Sequence, residues 1–324
     1  MIREALLIVT VCGPGTAFAD DAPLRIRNLA PASGIYGEPR ALGGDVLAAG
    51  YEFTFSTELA NNFTGNVHGS TLAYFDGETT YFMYGMRGAF AGRWEWGLEA
   101  PYVVQQGGYL DSAIDGFHET FGFDDNGRNA VERDQIRYFV ADHGTTYVNF
   151  SRDRSGWGDV RVTGGYQLVR EPARSLALRA LVKLPTGDVD QLTGSGAADA
   201  SVWLDYTDRE LLARLHLTMT AALGVMVLGD GNLLPQDQKS AAWYAHVGVG
   251  WPLTQAWTLK AQLDYHGALI DAAIDQLGGE ALQGSVGARW RFNQKAWTEV
   301  AVAEDLIPDS TSDVLVQIRV GLEL

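Results

Sequence analysis

Cysteine is all but missing from the 324 residues: the one copy is Cys12. It lies in a stretch that reads as an export leader. Arg3 gives a weakly positive start, Ala5 to Val11 an apolar core, Pro14-Gly15 a helix break, and Ala17-Phe18-Ala19 small residues where a signal peptidase cuts. Cleavage is expected after Ala19, so the mature chain would carry no disulfide, no thiolate metal site and no cysteine nucleophile. A lipoprotein would need a small residue before Cys12, where Val11 stands. Basic residues are also scarce: 24 Lys and Arg face 40 Asp and Glu, a net charge of −16. That balance excludes nucleic-acid binding by bulk electrostatics. Long apolar runs are absent too, for the longest candidate, Leu211 to Leu228, is interrupted by Arg214 and His216. Membrane helices are therefore not expected. The six histidines show no ligand spacing, so neither a metal nor a cofactor is expected. Mean hydropathy near zero does not argue against a membrane barrel, whose strands face lipid with only every second residue.

What the chain does have is alternation. Val314, Val316, Ile318, Val320, Leu322 and Leu324 are apolar, while Gln317, Arg319, Gly321 and Glu323 fall between them. A period of two puts the two sets on opposite faces of a strand. A C-terminal strand of this kind is what the outer-membrane barrel assembly machinery reads, although Leu324 replaces the usual final aromatic. Similar runs span 47–55, 82–90, 94–102, 160–168, 176–184, 198–206, 215–223, 241–251, 257–265 and 282–292. Their apolar phase carries no charge, as lipid demands: a mid-bilayer Lys or Arg there costs about 2–4 kcal/mol. The other phase holds Glu95, Glu99, Arg179, Lys183, Lys260, Asp264, Arg289 and Arg291, with Arg319 on the last strand, as expected of a wet or ion-paired lumen. Aromatics flank the short turns: Phe90 and Trp94, Trp251 and Trp257, Trp290/Phe292 and Trp297. This is the pattern of an interfacial girdle on the periplasmic side. Trp297 is out of phase with Val300 and Val302, which points it inward.

These features define an all-β chain forming a transmembrane antiparallel β-barrel of about 12 strands, in a bacterial outer membrane surrounded by lipid and lipopolysaccharide. Short turns near 91–93, 170–175, 207–210, 253–256 and 293–296 alternate with longer connections at 57–77, 104–157, 185–197, 229–239, 267–280 and 306–312. Both termini are then periplasmic. Two short alternating runs, Ile136 to Val140 and Thr146 to Phe150, are below the roughly 9–11 residues of a spanning strand and are expected to form a hairpin above the membrane. If they spanned, the count would be 14. The organisation is thus a leader at 1–19, an N-terminal segment at 20–45 and a barrel at 46–324. Pro23 to Arg40 has no strand pattern and carries Arg25, Arg27 and Arg40. It is expected either to enter the lumen as a plug, pairing with Glu95 or Glu99, or to stay a periplasmic tail.

Three segments, PLRIRNLAPASGIYGEPRA (23–41), the stretch from TTYFMYG to HETFGF (79–123) and GWGDVRVTGGYQL (156–168), resemble an uncharacterised family of proteobacterial outer-membrane proteins. The resemblance extends over the mature chain and implies location and fold. KLPTGD (183–188) followed by GSGAAD (194–199) is similar to a motif of barrels linked to meta-pathway phenol degradation, which implies transport of small organic compounds.

Function could sit in the long connections. Leu110, Ile114, Phe117 and Phe121 recur at helical spacing, and Leu269, Ile270, Ala273 and Ile274 repeat the design within 268–277. Two such helices would either bind a small hydrophobic ligand at the barrel mouth or pack as a lid. Asp264 and His266 share a face at a spacing that permits a carboxylate–imidazole dyad, a candidate for hydrolytic chemistry beside His118-Glu119 in the longest connection. The expectation is a passive channel for a small apolar or aromatic compound. A plugged structural barrel and an outer-membrane hydrolase are the alternatives.

Overall fold

A computed structural model of the protein describes residues 22–108, 134–307 and 311–324. The leader expected at 1–19 lies outside them, as do Leu110, Ile114, Phe117, His118, Glu119 and Phe121. Fifteen strands form among the described residues: β1 Tyr51–His68, β2 Thr71–Phe90, β3 Trp94–Gln106, β4 Arg137–Asp142, β5 Thr145–Phe150, β6 Arg154–Trp157, β7 Arg161–Arg170, β8 Arg174–Lys183, β9 Asp199–Asp208, β10 Thr218–Val227, β11 Ala241–Pro252, β12 Trp257–His266, β13 Ala281–Arg291, β14 Ala296–Asp305 and β15 Val314–Glu323. Twelve of them, β1–β3 and β7–β15, pair antiparallel with their neighbours into a closed wall. The seam is β1 against β15, with Phe53 opposite Leu322 and Phe55 opposite Val320. It is finished by reciprocal backbone hydrogen bonds between Tyr51 and Leu324, 3.0 and 2.8 Å. Closure leaves no edge, as a sheet in hydrocarbon requires.

The remaining strands stand off the wall. β4 pairs with the Leu72–Asp76 part of β2 and β5 pairs with β4, while β3 bonds directly to β7. The 136–150 hairpin is therefore an annex, and the count is twelve rather than fourteen. β6 pairs with the outer half of β3 and continues the line of β7 across a break at 158–160, where the Gly158 amide donates to Pro101 O at 2.8 Å. Two boundaries differ from the sequence reading. The expected loop at 57–77 is mostly strand, because β1 and β2 run on as a two-stranded ribbon to His68 opposite Thr71. The first strand starts at Tyr51 rather than Leu47, whose amide donates instead to Glu95 Oε2 at 3.0 Å. The helix expected at 268–277 is also replaced. Ile270 bridges to Gln238, and only the 3-10 turn Asp275–Leu277 follows. Backbone pairing at Ile270 takes the extended conformation that a helix would forbid.

The outer wall is apolar all round: Leu178, Leu204, Leu223, Val225, Val247, Leu263, Val286, Val300 and Ile318 are exposed. Phe90, Trp94, Trp251, Trp257, Trp290 and Phe292 are exposed at the end where the short turns gather, with Trp257 and Trp290 stacked at 5.6 Å. Trp243 packs on Tyr265 at 4.4 Å near the other end. Trp297 does turn inward and is buried.

Residues 22–46, the strap below, are almost entirely buried within the ring of strands. An outgoing leg lies along the β12–β15 and β1 side. There Leu24 meets Gly287, the Arg25 carbonyl accepts from Gln317 Nε2 at 3.0 Å, and Asn28 Nδ2 donates to His266 Nε2 at 2.9 Å. The chain reverses at Ala30–Gly34, where the Gly34 amide donates to Ala30 O at 2.7 Å. The returning leg lies on β7–β9, held by Lys183 Nζ to Ile35 O (3.0 Å), Ser201 Oγ to Gly37 O (2.9 Å) and Gln167 Nε2 to Gly44 O (2.6 Å). A Cβ at Gly44 would overlap the Ser175 carbonyl, so only glycine lets the strap lie this close. Over the reversal sits an apolar cluster that includes Ile35, Tyr36, Phe75, Tyr138, Phe150, Leu192, Leu269 and Ile270.

Val286 is the most exposed side chain in the centre of β13, between Ala261 and Val302 on its neighbours. Val286→Arg is expected to destabilise the barrel by about 2–4 kcal/mol in urea unfolding from lipid vesicles. Leu211→Arg, in the short-turn connection 209–217, is expected to change stability by less than about 0.5 kcal/mol.

Candidate functional site in the barrel lumen

Strand alternation delivers the polar phase of every wall strand to the interior, and most of its charge is paired there. Glu52 accepts from Arg25 (3.3 Å), Arg87 (3.1 Å) and Arg319 (3.3 Å). Arg87 also bonds Glu95 at 2.6 Å, and Arg179 bridges Glu95 (2.7 Å) to Asp205 (2.6 Å). On the opposite flank, Glu299 holds Lys260 (2.9 Å), Arg289 (2.7 Å) and Arg319 (3.5 Å). The Arg289 and Arg319 guanidiniums both lie over the Trp297 ring, at 3.9 and 4.8 Å from its centroid. A side chain at Gly321, directly opposite in register, would overlap the indole. One chain of contacts thus runs Lys260–Glu299–Arg319–Glu52–Arg87–Glu95–Arg179–Asp205. Sharing each carboxylate among several cations offsets the cost of burying them all.

The strap joins this network. Arg25 reaches Glu52 and, at 4.0 Å, Glu99. Both terminal nitrogens of Arg40 donate to Glu58, at 2.6 and 2.7 Å. The strap does not bond Glu95 through an arginine, because Arg87 and Arg179 of the wall occupy that carboxylate. Arg291 sits at the rim on Glu323 at 3.1 Å.

Asp264 and His266 do not form a dyad. Asp264 accepts from His246 Nδ1 at 3.1 Å and from Gln262 at 2.7 Å, while His266 accepts from Asn28 and donates to Gly267 O at 2.9 Å. The register explains the exchange: His246 lies opposite Asp264 across β11–β12, whereas His266 lies two residues further along. His246 Nε2 in turn contacts Thr220 Oγ1 at 3.1 Å. A void of about 10 Å³, no more than one water needs, touches Thr220 and Gln262 but neither His246 nor Asp264.

KLPTGD and GSGAAD fold against each other and against GWGD. Asp159 accepts from the amides of Gly187 (2.8 Å) and Ser195 (3.2 Å) and from Lys183 (2.7 Å), and Asp199 also pairs with Lys183 (3.1 Å). Two carboxylates close on one buried ammonium that also donates to the Ile35 carbonyl, so the motif here braces the wall and the strap. Outside the wall, the hydrogen bond from exposed His143 to Asp142 (2.6 Å) raises the imidazole pKa above its ordinary value and lowers that of the carboxyl.

A family model described as protein of unknown function, DUF3187, matches residues 5–322. The chain belongs to that family. No curated protein matches it. Among solved structures, an outer-membrane channel from Pseudomonas putida F1 is 14% identical, with a TM-score of 0.55 over 87% of this chain and 98% of that one. The NanC porin (8% identity, TM-score 0.47, 85% and 98% covered) and the P. putida toluene transporter TodX (12%, 0.43, 85% and 90%) are more distant. Similarity at this level shows the fold of the DUF3187 chain, an outer-membrane type of β-barrel.

Of the residues expected at a ligand site in this DUF3187 protein, Leu269 and Ile270 are sealed in the apolar cluster over the strap. The sequence reading named the lumen cations but passed over their partners Glu52, Glu58, Asp205 and Glu299, and with them Arg87 and Arg161. Phase would have found them: Glu52 and Glu58 alternate with Phe53 and Phe55, and Glu299 precedes Val300. Glu299→Gln leaves three cations around a neutral amide. It is expected to cost about 3–5 kcal/mol, read as a lower urea midpoint with an unchanged spectrum of the folded barrel.

Proposed function

We propose that this DUF3187 protein is an outer-membrane channel for small apolar or aromatic compounds, exported through the leader at 1–19, with a lumen closed by its own strap. The carrying observation is the chemistry of the strap's contacts. The wall holds the strap through ion pairs and hydrogen bonds from residues such as Gln317, Lys183, Ser201 and Gln167, contacts that water can replace. Beside them Leu24, Ile26 and Leu29 pack on Tyr81, Val103 and Leu315, so parting the strap exposes this apolar set and keeps any opening brief. The apolar outer wall between two sets of aromatics supports a place in lipid, and the P. putida F1 protein of the same fold is an outer-membrane channel. The aromatic-rich cluster over the reversal, with buried Phe75, Tyr138 and Phe150, parts together with the strap when an apolar solute enters from the side of the long connections.

A second reading, a permanently sealed structural barrel, is favoured by the buried pairs Arg25–Glu52 and Arg40–Glu58. Planar-bilayer recording of the full chain and of a variant lacking residues 23–40 separates the two. The channel reading expects brief openings of the full chain and a steady open level after deletion. A full chain that never conducts beside a conducting variant supports the sealed barrel. A folded variant that stays silent overturns both the channel and the strap's closing role.

A further inference from the structure

Three guanidiniums meet in mid-lumen with fewer acceptors than they need. Arg27, Arg40 and Arg161 are all more than nine-tenths buried. Arg27 Nη1 donates to Gly34 O at 2.9 Å, and Arg161 Nη2 donates to Tyr36 O at 3.2 Å, so both close on the same stretch of the strap. Arg40 spends both terminal nitrogens on Glu58. This leaves Nε and Nη2 of Arg27, Nε and Nη1 of Arg161 and Nε of Arg40 with no acceptor among the described residues. The three cations repel one another. The carboxylates that face them are Glu58, already shared with Arg40 and Ser56, Glu99, which also serves Arg25, and buried Glu38, which accepts from the Asn28 amide. Asp159, on the far side of Arg161, is taken by Lys183. The Tyr81 ring lies 5.7 Å from the Arg27 guanidinium and supplies an apolar face beside the unpaired donors.

Guanidinium donors without acceptors beside an aromatic face together describe a receptor for a small organic anion. A planar carboxylate takes two parallel N–H donors from one guanidinium, which fits the Nε and Nη2 left open on Arg27, while Arg161 adds single N–H donors. We propose that Arg27, Arg40 and Arg161, with Tyr81, bind one small aromatic carboxylate, and that the bound anion clasps the strap, through Arg27 and Arg40, to the wall, through Arg161 and Tyr81. As a statement of binding this is independent of conduction. As a refinement of the solute class, from apolar or aromatic compounds to aromatic acids, it rests on the channel reading.

The test is calorimetric titration of the folded, detergent-solubilised full chain with sodium benzoate after long equilibration, beside the neutral isostere benzamide and sodium chloride at matched ionic strength. The site predicts saturable binding of one benzoate and at least tenfold weaker binding of benzamide. Arg161→Gln and Arg27→Gln are each expected to weaken benzoate at least tenfold, whereas Arg174→Gln at the short-turn end is expected to leave it unchanged. Heat-shifted gel migration verifies that each variant is folded, and where one is not, the benzoate–benzamide comparison on the native chain decides. Benzamide binding as tightly as benzoate, chloride abolishing the difference as an adventitious ion would, or folded variants binding like the native chain would each overturn the site. Because the titration needs no conductance, its failure leaves the channel reading standing, and a silent bilayer leaves the site standing.

Discussion

Hydrocarbon offers no hydrogen-bond partner to an unpaired backbone amide, so a sheet that enters it must close on itself. In this chain the closure is made where β1 meets β15, and the other features follow from it. A closed wall gives every strand one face toward lipid and one toward the lumen, which fixes the period of two and confines charge to a single phase. The confined charge then has to be neutralised in a narrow space. That need accounts for carboxylates shared among several cations, as at Glu52 and Glu299.

The strap solves the same problem from the inside. A tube with this many inward charges is filled either by water or by a segment bringing its own donors and acceptors. Residues 22–46 bring arginines to Glu52 and Glu58, and carbonyls to Arg179, Lys183 and Gln167. The exchange is nearly even, which is why so polar a segment can be buried at all. It is uneven around Arg27 and Arg161, and the excess of donors there distinguishes a place for a ligand from a place for packing.

Much of this was legible in the residues. The uncharged apolar phase, the terminal strand and the aromatics beside short turns give the barrel and its count, because lipid tolerates few exceptions on that face. The inward Trp297 was readable from phase alone. What could not be read was pairing. Asp264 found His246 rather than His266, since a cross-strand neighbour is fixed by register, and a single strand's sequence does not contain it. The ribbon of β1 and β2 beyond the wall escaped notice because Asn61 to Asn66 lacks apolar alternation, and its ladder is held by backbone bonds. The apolar spacing in 268–277 suggested a helix, but Leu269 and Ile270 cover the strap in extended form, where tertiary packing outweighs local pattern.

The account depends most on the strap's position, and the absence of cysteine from residues 13–324 makes that position directly measurable. Asn28→Cys with His266→Cys puts one thiol on the strap and one on β12, at side chains that bond at 2.9 Å. Phe53→Cys with Leu322→Cys, directly opposed across the seam, is the reference pair. Dibromobimane, which fluoresces when it bridges two nearby thiols, is applied to the full chain in outer-membrane preparations. The account predicts bridging of both pairs, with loss of the first alone when residues 29–40 are removed. Bridging of the reference pair without any bridging between positions 28 and 266 would contradict it.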